Sequence, residues 1–273
     1  MSNKKNKFYG VNSTLWGHKW GFKDSQFIIN EDKSVTFTGN RYHGVSGEKL
    51  PYLVPFVEKI LAIKIKPEPY FNEIKTKYVS DRNINQPFLN ELKSEFKNDQ
   101  YTYEDSERLL HSHGQNGPDE VFKVLYNKLQ KFADLVFYVE SDEDTKKLID
   151  LAKKYDVCLV PFGGGTNVTN ALKLPKQESR MIVSVDTRRL NKIESMDKEN
   201  LLVTVQAGIT GKSLEEQLQK EGYTVGHEPD SIELSTLGGW ISTNAAGMKK
   251  NRYGNIEDIV QNVTMITPNG IIN

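Results

Sequence analysis

The run Pro161-Phe162-Gly163-Gly164-Gly165-Thr166 follows the apolar stretch Val157-Cys158-Leu159-Val160 and continues into Asn167 and Thr169. Three successive glycines let the backbone take positive φ and approach a ligand with no Cβ in the way. Consecutive inward-pointing N–H groups form an anion nest suited to a phosphate or pyrophosphate. Thr166, Asn167 and Thr169 add hydroxyl and amide donors. Taken alone, the glycines favour a plain tight turn between strands. Two nucleotide-binding patterns fail here. The dinucleotide fingerprint G-x-G-x-x-G needs a glycine at its sixth position, and counting from Gly163 that position holds Val168. Gly211-Lys212-Ser213 resembles the tail of a P-loop, but Gln206 stands where that loop needs its first glycine.

A second segment runs from His227 to Gly254 and is dense in small and polar residues: Pro229-Asp230-Ser231, Ser235-Thr236-Leu237-Gly238-Gly239-Trp240, Ser242-Thr243-Asn244-Ala245-Ala246-Gly247 and Tyr253-Gly254-Asn255. Small residues allow the backbone to approach a large flat ligand, whose polar edges the hydroxyls and amides can bond. Ser235 or Thr236 is placed to cap a short helix from Leu237, turning free N–H groups toward an anion. The plainer alternative is a long loop packed on a neighbouring strand, but a loop this long is more often functional. His227 borders the segment, where a polar role near a ligand fits. His111 and His113 lack a cysteine or acidic residue at ligand spacing and read as satisfied surface or core histidines rather than metal ligands. His18 and His43 carry no pattern. No Gly-x-Ser-x-Gly elbow and no acid/base carboxylate pair stands out.

The elements that must position these segments are clearest after Pro118. Phe122, Leu125, Leu129 and Phe132 recur at helical spacing. Val136 to Val139 reads as a strand, and Ser141 stands as N-cap of a helix with Asp144 in a variant of the capping box. Leu148, Leu151, Ala152 and Tyr155 give that helix its apolar stripe, and Val157 to Val160 is the next strand. Strand, helix and strand over 136–160 predict parallel pairing through a right-handed crossover. Met181 to Val185 and Leu201 to Val205 are β-rich, with a turn at Asp197-Lys198-Glu199-Asn200. A helix from Ser213 to Glu221 ends on Gly222, suited to a left-handed cap. Ile259 to Thr267 reads as β and closes on Pro268-Asn269-Gly270, a hairpin signal. Too little chain follows for a returning strand, so the sequence reads as truncated in mid-element. Upstream, Trp16-Gly17 and Trp20-Gly21-Phe22 precede a hairpin of Gln26–Asn30 and Ser34–Thr38 about Glu31-Asp32-Lys33, and Leu53 to Leu61 reads as a helix. Residues 66–120 are polar and punctuated by Pro67, Pro69, Pro87 and Pro118.

Composition narrows the class. The chain has 273 residues, 37% hydrophobic and 26% charged, as in globular proteins. Lys plus Arg balances Asp plus Glu at 36 each, so no net field recruits nucleic acid or an anionic membrane. The basic start at Lys4, Lys5 and Lys7 lacks the apolar stretch of a secretory signal. The best apolar run, Leu53 to Ile65, is broken by Glu58, Lys59 and Lys64 and falls short of the ~20 residues of a membrane span. The lone Cys158 excludes an intrachain disulfide and reads as a buried small hydrophobe.

The glycine loop and the run Gly226-His227-Glu228-Pro229-Asp230-Ser231 resemble the flavin-contacting segments of the alkyldihydroxyacetonephosphate synthase family. So do Gly238-Gly239-Trp240-Ile241-Ser242-Thr243, Ala246-Gly247-Met248-Lys249-Lys250-Asn251 and Tyr253-Gly254-Asn255-Ile256-Glu257-Asp258. The resemblance extends upstream through Arg108–Gly114 and Trp20-Gly21-Phe22-Lys23-Asp24-Ser25. It implies an α+β fold: an FAD-binding domain of the vanillyl-alcohol oxidase and p-cresol methylhydroxylase type at 118–273, incomplete at its end, after a hairpin and mainly helical region at 1–117. It implies FAD as cofactor, with no metal. The cofactor would be held by Pro161, Phe162, Gly163, Gly164, Gly165, Thr166 and Asn167 at the pyrophosphate. Asp230, Ser231, Ile232, Glu233, Leu234, Ser235 and Thr236, with Thr243, Asn244, Ala245 and Ala246, would line the rest.

For the full-length enzyme the resemblance implies exchange of the acyl group of acyl-dihydroxyacetone phosphate for a long-chain fatty alcohol. The flavin N5 would hold the three-carbon unit, without net redox change. It also implies a peroxisomal setting, although no targeting signal is visible here, and leaves membrane association and a homodimer open. The family's catalytic Tyr and His fall beyond Asn273, so no catalytic residue is assigned. Two alternatives remain: a flavin-dependent 2-hydroxy-acid oxidase or dehydrogenase of the same fold, and an inactive fragment of the synthase.

Overall fold

In the computed structural model, Leu15 and residues 20–39, 44–66 and 79–273 are described. Trp16-Gly17, the basic start, His18, His43, Pro67 and Pro69 lie outside the described residues. The chain divides into two units, Met1–Tyr78 with Lys123–Lys128, and Val79–Phe122 with Leu129–Asn273.

The first unit carries a three-stranded antiparallel sheet of β1 (Phe27–Ile29), β2 (Val35–Phe37) and β3 (Lys49–Leu50), followed by helix α1 (Leu53–Leu61). The expected hairpin forms because Lys33 takes a left-handed φ of 64° and the Asp32 carboxylate accepts the Ser34 N–H at 3.1 Å. Phe27 and Phe37 sit opposite one another with ring centroids 4.7 Å apart.

The second unit opens with α2 (Gln86–Glu95), capped by Asn85, whose side chain accepts the Phe88 N–H at 3.1 Å. Strand β4 (Tyr101–Thr102), helix α3 (Asp105–Leu110), helix α4 (Pro118–Leu125) and strand β5 (Leu135–Tyr138) follow. Next come α5 (Asp142–Tyr155), β6 (Cys158–Phe162) and β7 (Ile182–Asp186). The sheet order is β4-β5-β7-β6, with β5, β7 and β6 parallel and β4 antiparallel at the edge. The strand–helix–strand expectation holds in direction, but β7 inserts between the two strands. Ser141 caps α5 as expected, accepting the Asp144 N–H at 3.0 Å. The Asp144 carboxylate reaches back one residue further than a capping box, to the Glu140 N–H at 3.2 Å, and accepts from Gln100 at 2.8 Å. Helices α2 and α5 bury Phe88, Leu92, Leu148 and Leu151 against Phe137 and Val183 of the sheet. Apolar burial of this kind is the main favourable term in folding.

The remainder is built on β8 (Ile193–Asp197), β9 (Leu202–Val205), α6 (Gly211–Lys220), α7 (Leu237–Thr243), α8 (Lys250–Tyr253), α9 (Ile256–Ile259), β10 (Met265–Thr267) and β11 (Gly270–Ile272). Ile209, Leu214, Leu218, Trp240 and Ile256 form its core. Thr210 caps α6 through the Ser213 N–H at 3.3 Å, and Gly222 follows it with φ +82°.

Four sequence expectations change. The helix expected to reach Phe132 stops at Leu125, where Asn127 turns left-handed at φ 54°. Phe122 and Leu125 are exposed and Phe132 is buried. Ile259 to Thr267 is not one strand, because Asn255 and Asp258 make a capping box that starts α9. The returning strand is present: β11 pairs with β10 in the register Met265↔Ile272 and Thr267↔Gly270, Gly270 taking φ +122°. Cys158 is only half-buried. Burial still pushes its thiol up, with the nearby Glu178 carboxylate adding to the shift.

Two buried cations tie the sheet to its surroundings. Arg108, fully buried, donates to the Ala133 carbonyl, the Asp105 carboxylate and the Ser80 carbonyl, each at 2.8 Å. At the end of β7, Arg188 clasps Asp186 through Nε (3.0 and 3.1 Å) and Nη2 (2.5 Å), while His111 Nε2 lies 2.9 Å from the same carboxylate. Burial alone would raise the Asp186 carboxyl, but the Arg188 guanidinium and the His111 bond override it and hold the carboxyl well below its usual range. Removing one partner of such a pair leaves an uncompensated buried charge. Asp186→Ala is therefore expected to cost about 3–5 kcal/mol in denaturant unfolding. A loss under about 1 kcal/mol would show that the pair carries no such share.

Candidate cofactor site

Strand β6 ends at Phe162, and the glycine loop leaves from the carboxyl end of the parallel strands. Phe162 does not face that loop's open side. Its ring is buried, 4.4 Å from the His111 ring and 5.4 Å from the Arg188 guanidinium. Only its backbone is available to a ligand, and its carbonyl already accepts the Thr187 N–H at 3.0 Å. Pro161 is exposed and pairs with Val185.

The loop is pressed against the second small-residue segment. A Cβ built on Gly163 would lie 2.3 Å from Thr236 Oγ1, and one on Gly164 would lie 1.9 Å from the Leu234 carbonyl oxygen and 3.0 Å from the Ser235 nitrogen. Gly165 takes φ +71°. Two segments far apart in sequence thus meet at Gly164 backbone to backbone, where no other residue type fits. The far side of the loop is strapped by the chain after α3: Gln115 donates its N–H to the Gly165 carbonyl at 2.6 Å, and Asn116 Nδ2 to the Thr166 carbonyl at 3.1 Å. Asn167 turns its carbonyl inward to accept the Ala171 N–H at 2.9 Å.

The second segment is held by its own turns and by the first residues of α6. The Ser231 carbonyl accepts the Leu234 and Ser235 N–H groups at 2.9 and 2.8 Å. Gly211 and Lys212 donate to the Ser235 and Ile232 carbonyls at 3.0 and 2.9 Å. Thr236, buried, caps α7 by accepting the Gly239 N–H at 3.3 Å, while Ser235 accepts Trp240 Nε1 at 2.8 Å. Of the two candidate caps, Thr236 takes the role. Asp230 is exposed, and Ile232, Glu233 and Leu234 are half-buried.

Thr243, Asn244, Ala245 and Ala246 stand at the opposite end of the seven-residue α7 from Thr236. The Thr243 hydroxyl donates into its own helix at 2.8 Å, Asn244 is the left-handed cap at φ 51°, and Ala245 packs into the Trp240 core. The structure therefore joins Gly163 and Gly164 directly to Leu234–Thr236 and sets 243–246 apart from that contact by the length of α7.

His227 is 1% exposed, and neither ring nitrogen has a hydrogen-bond partner. Its ring packs at 4.7 Å on Trp240, and a Cβ on Gly247 would come within 3.1 Å of Nδ1. Burial lowers its proton affinity, as it does for His113. Sequence reasoning missed the acidic partner of His111, because Asp186 lies in another element. It also missed the strap at 114–116, whose signal was only a short polar stretch between two helices. Among the described residues no group of three His, Cys, Asp or Glu could hold a metal ion.

A loop with no room for side chains at the end of a parallel strand fits the pyrophosphate of a dinucleotide cofactor. The free N–H groups expected at the start of α7 are not there, since Leu237 and Gly238 donate to the Ile209 and Ala207 carbonyls and Gly239 to the Thr236 hydroxyl. A family profile described as an FAD binding domain matches residues 133–273, and the chain belongs to that family, with FAD as its cofactor. More particularly, it is 43% identical over 93% of its length to an alkyldihydroxyacetonephosphate synthase of Caenorhabditis elegans, covering 42% of that protein. The corresponding synthase of Dictyostelium discoideum is 32% identical over all of this chain, which covers 46% of it. A solved alkyldihydroxyacetonephosphate synthase structure superposes with TM-score 0.84 at 31% identity, over 96% of this chain and 49% of that one. The resemblance read from the sequence stands, and the chain spans just under half the length of these relatives. Berberine bridge enzyme, at TM-score 0.53 and 22% identity, shares the fold.

Gly164→Ala would drive a methyl group into the Leu234 carbonyl. The expected result is at least a tenfold weaker FAD affinity, roughly the loss of one hydrogen bond to a charged group, in flavin fluorescence titration. Unchanged affinity would remove the loop from the site. A second expectation concerns acid. The folded-state affinity of His227 and His113 for protons is depressed, so the unfolded chain takes up protons near pH ~6.5 that the folded chain does not. Stability should be fully present above that pH and fall as pH drops below it. His227→Phe should flatten part of the fall in a pH series of unfolding free energies.

Proposed function

We propose that this chain supplies the pyrophosphate-binding half of the FAD site in an enzyme that exchanges the acyl group of acyl-dihydroxyacetone phosphate for a long-chain fatty alcohol. The products are the alkyl ether and a free fatty acid. The observation that carries this reading is the close approach of Gly164 to the Leu234 and Ser235 backbone and of Gly163 to the Thr236 side chain, inside a chain similar along nearly its whole length to synthases of that name. Gly163, Gly164, Gly165 and Thr166 would present N–H groups to the pyrophosphate. The first N–H groups of α7 are already taken, Leu237 and Gly238 donating to the Ile209 and Ala207 carbonyls and Gly239 to the Thr236 hydroxyl, so the start of that helix would add only its partial positive charge. Ser235 holds Trp240, and through it the apolar wall behind that helix start, in place.

Bound FAD supplies a carrier for the three-carbon phosphate unit with no net change of oxidation state. The residues of the loop would bind and orient the cofactor rather than move protons, because Pro161–Asn167 carries no acidic or basic side chain. The protein's share of the chemistry is position and electrostatics. The resemblance to those synthases is also what supports our reading of a peroxisomal setting and of a cofactor domain that begins near Pro118.

The test is product formation. The full-length protein carrying this chain, given acyl-dihydroxyacetone phosphate and hexadecanol, should release fatty acid and alkyl-dihydroxyacetone phosphate while its flavin absorbance stays oxidised. Stoichiometric bleaching of the flavin by D-lactate, without ether product, would replace the reading by a 2-hydroxy-acid dehydrogenase.

A further inference from the structure

Glu120 is a buried acid with no part in the site described so far. It is 3% exposed, and it lies in the first turns of α4. Its Oε1 accepts the Gly114 N–H at 2.9 Å, while Oε2 is buried with no hydrogen-bond partner. The carboxylate occupies the space that side chains at two glycines would need. A Cβ on Gly114 would lie 2.5 Å from Oε2, and one on Gly117 2.9 Å from it. The same Cβ on Gly114 would be 3.4 Å from Asn167 Nδ2, so Glu120 and the tail of the glycine loop flank one glycine from two sides.

Burying a carboxylate with one oxygen unsatisfied is costly, and a neutral glutamine or an apolar residue would avoid that cost. The residues it holds offer a reason for retaining it. Gly114 begins the strap whose next two residues, Gln115 and Asn116, bond the Gly165 and Thr166 carbonyls of the loop. A charge-assisted bond to the Gly114 N–H fixes the first residue of that strap more firmly than a neutral acceptor would. With the strap fixed, the carbonyls of 165 and 166 are drawn to the strap side, and the peptide planes of the loop are set with their N–H groups turned the other way.

We propose that Glu120 is a positioning residue for the cofactor: through the Gly114–Asn116 strap it presets the glycine loop in its phosphate-binding conformation before FAD arrives. The proposal rests on the reading of that loop as the pyrophosphate site, and two independent readouts separate the two ideas.

The first readout is amide hydrogen exchange of Gln115 in the FAD-free protein, since that N–H bonds the loop and not Glu120. The second is the FAD dissociation constant by fluorescence titration, with denaturant unfolding as control. In Glu120→Ala, and in Glu120→Asp, which withdraws the carboxylate by one methylene and serves if the alanine variant does not fold, Gln115 should lose protection. FAD should bind on the order of tenfold more weakly, as for loss of one charge-assisted hydrogen bond. Glu120→Gln keeps an oxygen for the Gly114 N–H without the charge and should fall between the parent and the alanine variant on both counts. Unchanged Gln115 protection in the alanine and aspartate variants would overturn the proposal while leaving the loop's assignment intact. Lost protection with undiminished FAD affinity would overturn both. Weaker FAD binding that only tracks a fall in global stability, with glutamine failing to rescue, would reduce Glu120 to a packing residue and overturn the proposal as well.

Discussion

The site depends on a place where two main chains touch with no side chain between them. A methyl group on Gly164 would have to displace the backbone of Leu234 and Ser235, and one on Gly163 would meet the Thr236 hydroxyl at 2.3 Å. Backbone cannot rotate out of the way as a side chain can, so this contact fixes the distance between two segments that the sequence holds far apart. Everything that makes the region useful follows from that distance. The loop's amides and the start of α7 come to one location because Thr236 is at once the neighbour of Gly163 and the cap of that helix.

Beneath the contact lies a layer of buried charge. Asp186, at the end of β7, is held by Arg188 and His111, and both of these also border the Phe162 ring at the end of β6. His111 Nδ1 is in turn 2.8 Å from the Glu107 carbonyl, and the Tyr138 hydroxyl donates to the Glu107 carboxylate at 3.0 Å. Three strand ends and one helix are thereby registered at the edge from which the loop departs. Apolar residues of equal volume could stabilise such a layer as well or better. They would not fix the orientation of each partner, and a cofactor cradle made of backbone needs orientation more than it needs stability.

Much of this was legible because it is local. The cap at Ser141, the stripe of Leu148, Leu151 and Ala152, the stop at Gly222 and the hairpin about Lys33 each depend on residues within a few positions of one another. The two small-residue segments were visible as composition. Family resemblance could name them as parts of one site, but spacing along the chain says nothing of their contact. What stayed hidden was long-range. Nothing near His111 announces that Asp186 is its partner, and nothing near Gly165 announces Gln115. The helix beyond Leu125 was misread because Leu129 and Phe132 keep the right spacing while Asn127 breaks the backbone. Periodicity records which residues are apolar, not whether the chain between them can stay helical. The short return of β11 was missed for a related reason: three residues suffice for a strand when a glycine at φ +122° closes the turn.

A cradle built from main-chain groups is indifferent to the reaction carried out on the far end of its ligand. The same loop geometry can hold the pyrophosphate in a synthase and in an oxidase, because neither the amide donors nor the helix start senses the flavin ring. The fold reaches proteins as distant as berberine bridge enzyme at 22% identity, whereas the closer likeness to the synthases extends over nearly the whole chain. Resemblance that extends upstream of the cradle, to Arg108 and the strap at Gly114, is therefore more informative about kinship than the glycines are. The glycines answer to the close approach of Leu234, Ser235 and Thr236. The strap and its buried acid answer to how this particular chain holds them.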